Sequence, residues 1–210
     1  MITEAYEALC ANDLSRVNRV ELYKEVIAVS PKLTMQRPPL CFIHIELTSL
    51  VPVGAGERLR LHIWDTDAGV VDDLGDLHDH VWALHSLVLD GELTDSTYEA
   101  IADAQGPFWG SRVKYGALNS SEPDARYRLD LLDRRRISAG TVYRIPSGVI
   151  HASQVTKVPS VTLLLAVDDP HRKERGPLVL SRVGAHGHAT AARPAVSVGE
   201  LEAALLPLIR

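Results

Sequence analysis

Residues 75–93 read GDLHDHVWALHSLVLDGEL. His78 and His80 stand two apart at the head of an apolar run that stops at Asp90, Gly91 and Glu92. Alternate side chains of an extended strand share a face, so the two imidazoles project to one side as a chelating pair. Residues 140–151 read GTVYRIPSGVIH. There the glycines and the proline shape a strand, a tight turn and a return strand, which delivers His151 at the start of the next strand. A lone His-x-His carries little weight. A third histidine placed by a built turn makes a three-imidazole metal site the leading reading of both segments.

Outward from these segments the same period continues. Ile43, Ile45 and Leu47 alternate with Phe42, His44 and Glu46, as in a strand with two unlike faces. Further strand-like runs lie at 58–64, 82–89, 93–100, 127–132, 141–145, 152–155 and 161–167. Many short strands separated by Gly, Pro, Asp and Asn turns predict an all-β antiparallel barrel or sandwich rather than an α/β sheet. Upstream, Ala5, Leu9, Leu14, Val17, Val20, Leu22 and Val26 recur at helical spacing. A break near Asn12 and Asp13, where an N-cap restarts a helix, predicts two short helices ended by Pro31, Pro38 and Pro39. Beyond Asp169 and Pro170 the chain is rich in Gly, Ala, Arg and His and reads as a surface-running tail. It leads to a short closing helix over 197–209, where Leu201, Ala204, Leu205 and Leu208 repeat behind Ser197. The expected organisation is a helical extension over 1–39, one barrel over 40–168, and a tail with its closing helix over 169–210.

A chain of 210 residues suits a single barrel with extensions. With 22 basic against 27 acidic residues and a net charge of -5, it lacks the accumulated positive patch that phosphate binding needs, so no nucleic-acid partner is expected. The adjacent Arg134, Arg135 and Arg136 read as a solvated loop ahead of a turn. Cys10 and Cys41 are too few for a disulfide framework and lack the paired spacing of a zinc-thiolate site, which predicts a reduced, cytoplasmic chain. The first nine residues carry Glu4 and Glu7 without the basic start and apolar run of a cleaved signal. No stretch approaches the length of a membrane span, so no membrane partner is expected.

The two histidine segments resemble the cupin superfamily, whose first motif has the form G-x(5)-H-x-H-x(3,4)-E-x(6)-G and whose second is G-x(5)-P-x-G-x(2)-H-x(3)-N. The resemblance covers residues 40–168. The second motif matches at Gly140, Pro146, Gly148 and His151, with Val155 in place of the terminal Asn. The first matches at His78, His80 and Gly91, with Gly75 closer to the first histidine than the pattern expects. The resemblance implies a double-stranded β-helix, or jelly-roll, barrel that holds one divalent metal through His78, His80 and His151. The family's glutamate ligand is missing. Counting back from Gly91 puts Leu84 in its place, and counting forward from His80 with the longer spacing puts His85 there. His85 is then either a fourth ligand or an outward residue, and alternation from Leu84 towards Val88 favours the second.

A three-histidine set resembles the cysteine dioxygenase-like branch of the cupins. Neutral imidazoles leave the metal its full positive charge, which suits an anionic chelating substrate beside dioxygen. The resemblance thus implies an Fe(II)-dependent oxygenase, an oxidoreductase of the dioxygenase type, acting with O2 on a small organic molecule. The alternatives are a cupin isomerase, lyase or decarboxylase using Mn, Ni or Zn, and a non-catalytic ligand-binding cupin. Against a regulator of the second kind, residues 3–29 contain nothing like a DNA-binding helix-turn-helix. The exposed sheet edges of cupin barrels imply a homodimer.

Other candidates surround the motifs. Arg58, Arg60, His62 and Trp64 alternate with Leu59, Leu61 and Ile63, giving one strand a polar face. Turned into the barrel, that face lets Arg60 hold a substrate carboxylate; turned outward, it is simply solvated. Trp82 shares the parity of His80 and either walls the cavity or packs as core. Leu84, Val88 and Ser153 complete the expected lining, an apolar setting for substrate. Tyr143 and Ser153 flank His151, where each either donates a hydrogen bond to a ligand or serves the fold. Tyr143 and Arg60 are the catalytic candidates, and Trp82, Leu84 and Ser153 the substrate-binding ones. His186 and His188, set among Gly184 and Gly187, read as part of a flexible tail.

Overall fold

Asn18, not Asn12, opens the second helix. Its side chain accepts the Glu21 N–H at 3.2 Å, and α2 runs Arg19–Val29. Asn12 instead ends α1 (Ile2–Ala11) in the left-handed conformation at φ 56°, one that asparagine tolerates better than most residues. Near the C-terminus Ser197 and Glu200 cap each other reciprocally at the start of α3 (Val198–Ile209). The computed structural model describes residues 1–38, 42–65, 77–114, 120–172, 174–182 and 193–210. Pro39, Cys41, Gly75, Lys173, His186 and His188 lie outside the described residues.

Between the helices the described residues form strands β1 (Met35–Gln36), β2 (Ile43–Glu46), β3 (Glu57–Trp64), β4 (Leu77–His78), β5 (Trp82–Ala102), β6 (Phe108–Lys114), β7 (Ser120–Ser138), β8 (Val142–Ile145), β9 (Ile150–Asp168) and β10 (Leu178–Arg182). The runs 82–89 and 93–100 are one bent strand, β5, and the runs 152–155 and 161–167 are one strand, β9. Asp90 and Gly91 bend β5 with register shifts instead of ending it. Gly91 has φ 78°, and a Cβ there would collide with the Ser160 hydroxyl and the Pro159 carbonyl, so only glycine lets the two bent strands pass each other.

Each long strand serves two antiparallel sheets. The C-terminal part of β9 lies between β3 and the N-terminal part of β5, with Arg60 opposite Leu164 and Leu84 opposite Ala166; β2 and β8 flank this group. The other halves of β5 and β9 pair with each other, with Thr97 opposite His151, and join β7, β6, β10 and β4 in a closed ring. This is the all-β antiparallel barrel, with short N-terminal helices and a closing helix, that the cupin resemblance implies.

The core explains why the helices are needed. Ile43, Ile45, Leu59, Leu61, Ile63 and Leu163 are fully buried on the outer face of the first sheet, against Leu9 of α1, Leu22 and Tyr23 of α2, and Leu201 and Leu205 of α3. Each such side chain contributes about 1.5–3 kcal/mol on burial, so the terminal helices complete the barrel's core. Tyr23 also donates its hydroxyl to Asp90 Oδ2 at 2.7 Å while Arg19 pairs with the other oxygen, which ties α2 to the bend of β5. A second cluster of Leu77, Phe108, Ile150, Ala152, Leu178 and Leu180 fills the ring.

Two further readings are corrected. The segment after Asp169 is not all tail, because β10 pairs with both β4 and β6. Arg134, Arg135 and Arg136 lie within β7, opposite Ser96, Asp95 and Thr94, and not in a loop. No described helix is long and apolar enough to cross a membrane.

Candidate metal centre

The two histidine segments meet where β4 touches β9. His78 lies opposite His151 in the ladder, and the Gly148 N–H donates to the His80 carbonyl at 2.8 Å, so the Pro146–Gly148 turn is hydrogen-bonded to the segment that carries the first two histidines. Asp79, between them, points the other way. It is buried, its Oδ1 accepts the Leu178 N–H at 2.6 Å, and it pins β4 to β10. Burial pushes its carboxyl upward despite the backbone contact and the nearby Arg112.

One ligand nitrogen from each of His78, His80 and His151 lies within 4.8 Å of the others. His80 Nε2 and His151 Nε2 are 3.2 Å apart. Two nitrogens bound at about 2.0–2.1 Å to one ion, at angles between octahedral and tetrahedral, stand roughly 2.8–3.4 Å apart. The His78 ring packs 4.6 Å from His80 and 4.8 Å from His151, centre to centre. Burial, then the neighbouring His78, His151 and Arg60, push the His80 pKa well down, which keeps its imidazole neutral as ligation requires. The residues present therefore fit a divalent ion held by three nitrogens, with no carboxylate in the group.

The polar face of β3 turns inward. Arg60 lies 5.4 Å and Arg58 5.0 Å over the Trp82 ring, and Trp82 stacks on His80 at 5.2 Å. Arg60 Nε donates to Glu46 Oε2 at 3.1 Å, and Arg58 pairs with Asp168. His62 is pushed well below its usual range by burial and then by His44 and Arg60; its Nε2 and the Trp64 Nε1 are buried without a hydrogen-bond partner among the described residues. The lining is thus apolar only in part. Leu84 packs with Ile145, Leu164 and Ala166, against Trp82 and Tyr143, and Val88 packs with Leu93 and Ile137. The wall from β2 and β3 is polar, contrary to the apolar setting expected.

His85 lies one position out of phase with Trp82 and Leu84, opposite Arg144 and Leu165, and is not part of the three-histidine group. Tyr143 packs against both the Leu84 and the Val88 clusters, and burial pushes its phenol up to about 12. Ser153 Oγ donates at 3.0 Å to Asp95 Oδ1. Asp95 is the residue the sequence reading missed. Its side chain is 0% exposed, and the same Oδ1 lies 3.3 Å from His151 Nδ1. Burial raises its pKa, but His151, Ser153 and Arg135 outweigh burial and hold it below the usual carboxylate range. The available signal was its parity with Leu93 in a strand facing the histidine motif. Glu46, the partner of Arg60, was visible only as one of a polar alternation.

No protein-family profile matches the chain, and no curated protein does. Among solved structures it is similar to a single-substitution variant of the oxalate decarboxylase of Bacillus subtilis, with TM-score 0.38 and 16% identity over 67% of this chain and 29% of that one. The Lactobacillus farciminis oxalate decarboxylase formate complex gives TM-score 0.37 and 16% identity over 65% and 31%. A hydroquinone 1,2-dioxygenase in complex with Cd2+ and 4-hydroxybenzonitrile gives TM-score 0.33 and 14% identity over 56% and 61%. The chain spans under a third of the length of either decarboxylase.

Proposed function

We propose that the chain is a cupin metalloenzyme in which His78, His80 and His151 hold one divalent ion, and that its activity is Fe(II)-dependent oxygenation of a small organic substrate that chelates the metal, as in the three-histidine, cysteine dioxygenase-like branch. The observation that carries this reading is the donor set: three imidazole nitrogens within 4.8 Å of one another, two of them 3.2 Å apart, with no carboxylate among them. When bound, iron(II) in such a set supplies Lewis acidity and one-electron chemistry with dioxygen. The chain's own residues do the rest. Trp82 holds the His80 ring by stacking and walls one side, and Leu84 with Leu164 and Ala166 excludes water from another. Arg60, beside Trp82, anchors a carboxylate of the substrate by exchanging its contact with Glu46. Tyr143, with its proton held firmly by burial, donates a hydrogen bond from the lining.

The test is metal content after anaerobic purification, together with oxygen uptake against a panel of thiols, diketones and aromatic acids. Stoichiometric iron and substrate-dependent uptake support the proposal. Turnover undiminished under strict anaerobiosis, or with zinc as the only metal, would replace it with the isomerase, lyase or decarboxylase reading.

A further inference from the structure

The carboxylate missing from the first motif stands one hydrogen bond further out. Asp95 lies on β5 opposite Ser153, and His151 lies opposite Thr97, so Asp95 and His151 are diagonal neighbours across one antiparallel pair. Asp95 Oδ1 faces His151 Nδ1 at 3.3 Å and accepts from Ser153 Oγ at 3.0 Å; Oδ2 accepts from Arg135 Nη2 at 3.3 Å. Arg135 is itself fixed, donating to the Arg144 carbonyl at 3.1 Å and lying 5.6 Å over the Tyr143 ring. A carboxylate with 0% side-chain exposure must have every oxygen partnered. Arg135 and Ser153 alone would supply a partner for each oxygen. The third contact, to the ring nitrogen remote from His80, is more than a structural ion pair requires.

We infer that Asp95 is a positioning residue of the metal centre, accepting the His151 Nδ1–H so that the Nε2 lone pair points at the ion, and placing a negative charge beside three neutral ligands. The inference rests on the reading of His78, His80 and His151 as ligands. A carboxylate on the far nitrogen of a ligating histidine fixes its tautomer and raises its basicity, and losing it lowers metal affinity by about 10–100-fold. It also assigns Ser153, Arg135 and Tyr143 to one supporting chain: Ser153 and Arg135 hold the carboxylate, and Tyr143 holds Arg135.

The test uses the full chain and Co(II) as probe. Affinity is measured by chelator competition, the ligand field by the visible spectrum of the cobalt form, and the His151 tautomer by long-range 15N–1H NMR of the metal-free protein. Asp95→Asn is expected to weaken Co(II) by about 10–100-fold, to shift the visible bands and to move His151 away from the Nδ1–H form. Ser153→Ala should give a smaller loss in the same direction, and it carries the test together with Arg135→Gln if Asp95→Asn does not fold. Tyr23→Phe, remote from the site, controls for general destabilisation and should leave affinity and spectrum unchanged. Wild-type affinity, spectrum and tautomer in these variants would overturn the role of Asp95 while leaving the three-histidine centre intact. A wild-type chain that takes up no cobalt would instead remove the centre itself, and the inference with it.

Discussion

Replacing His151 with alanine separates what the histidine does for the fold from what it does for an ion. His151 is 4% exposed, and its loss leaves the buried Asp95 with Ser153 and Arg135 but without the ring. Because those two contacts survive, the cost is that of one lost partner, about 1–3 kcal/mol, below the roughly 3–5 kcal/mol of an orphaned buried charge. For a chain of this size each kcal/mol moves Tm by about 2–4 °C, so the metal-free variant should melt about 2–12 °C below wild type. Zinc at a hundred times its Kd stabilises a folded binding site by about 2.7 kcal/mol, a rise of roughly 5–11 °C in the wild-type chain. His151→Ala should lose that rise entirely. Differential scanning fluorimetry with EDTA and with zinc reads both effects. A variant that melts cooperatively and still gains the full zinc-dependent rise would refute His151 as a ligand.

Four further outcomes are expected. His85→Ala should keep full metal occupancy by elemental analysis, because His85 lies outside the three-histidine group, and a loss equal to that of His80→Ala would count against the present register. Tyr23→Phe removes a charged hydrogen bond at 2.7 Å between α2 and the bend of β5, and should cost about 1.5–3 kcal/mol in urea unfolding. Burial alone would raise the Glu46 pKa, but His44 at 3.9 Å, the hydrogen bond from Thr48 and the Arg60 guanidinium bring it from 4.5 to about 2. Its folded value lies below the unfolded one, so the stability it adds is present above about pH 4.5 and is lost as the pH falls towards 2; Glu46→Gln should flatten that acid limb of the stability profile. Arg60→Gln should raise KM for whichever acid of the substrate panel turns over while leaving metal affinity unchanged, and an unaltered KM would remove Arg60 as the anchor.

The three-histidine cluster was legible because its signals are local: a two-residue spacing puts His80 beside His78 just past the end of β4, and the Pro146–Gly148 turn brings His151 opposite His78. Leu84 inside and His85 outside followed from the same alternation. What failed depended on partners distant in sequence. Asp90 and Gly91 read as a strand end, because no local signal says that Ser160 and Pro159 will pass so close that the strand bends and continues. Arg135 read as a solvated charge because its use is set by Asp95 on the neighbouring strand. β10 was hidden in a polar segment whose two strand neighbours, β4 and β6, lie far upstream. The N-terminal helices were found, but their necessity was not, since amphipathicity does not reveal that the far side of β3 has no other cover.

The shortness of β4 has a kinetic consequence. Among the described residues β4 is Leu77–His78, and it meets β9 through one residue pair, His78 opposite His151. An ion shared by those two side chains would add a further rung beside that pair. The seam should therefore be where the barrel breathes first, and chelation should speed amide hydrogen exchange at residues 77–81 while exchange along β3 and the C-terminal part of β9 stays slow. For an ion held there, release and seam opening would be a single event, with the off-rate set by the zipper beside it.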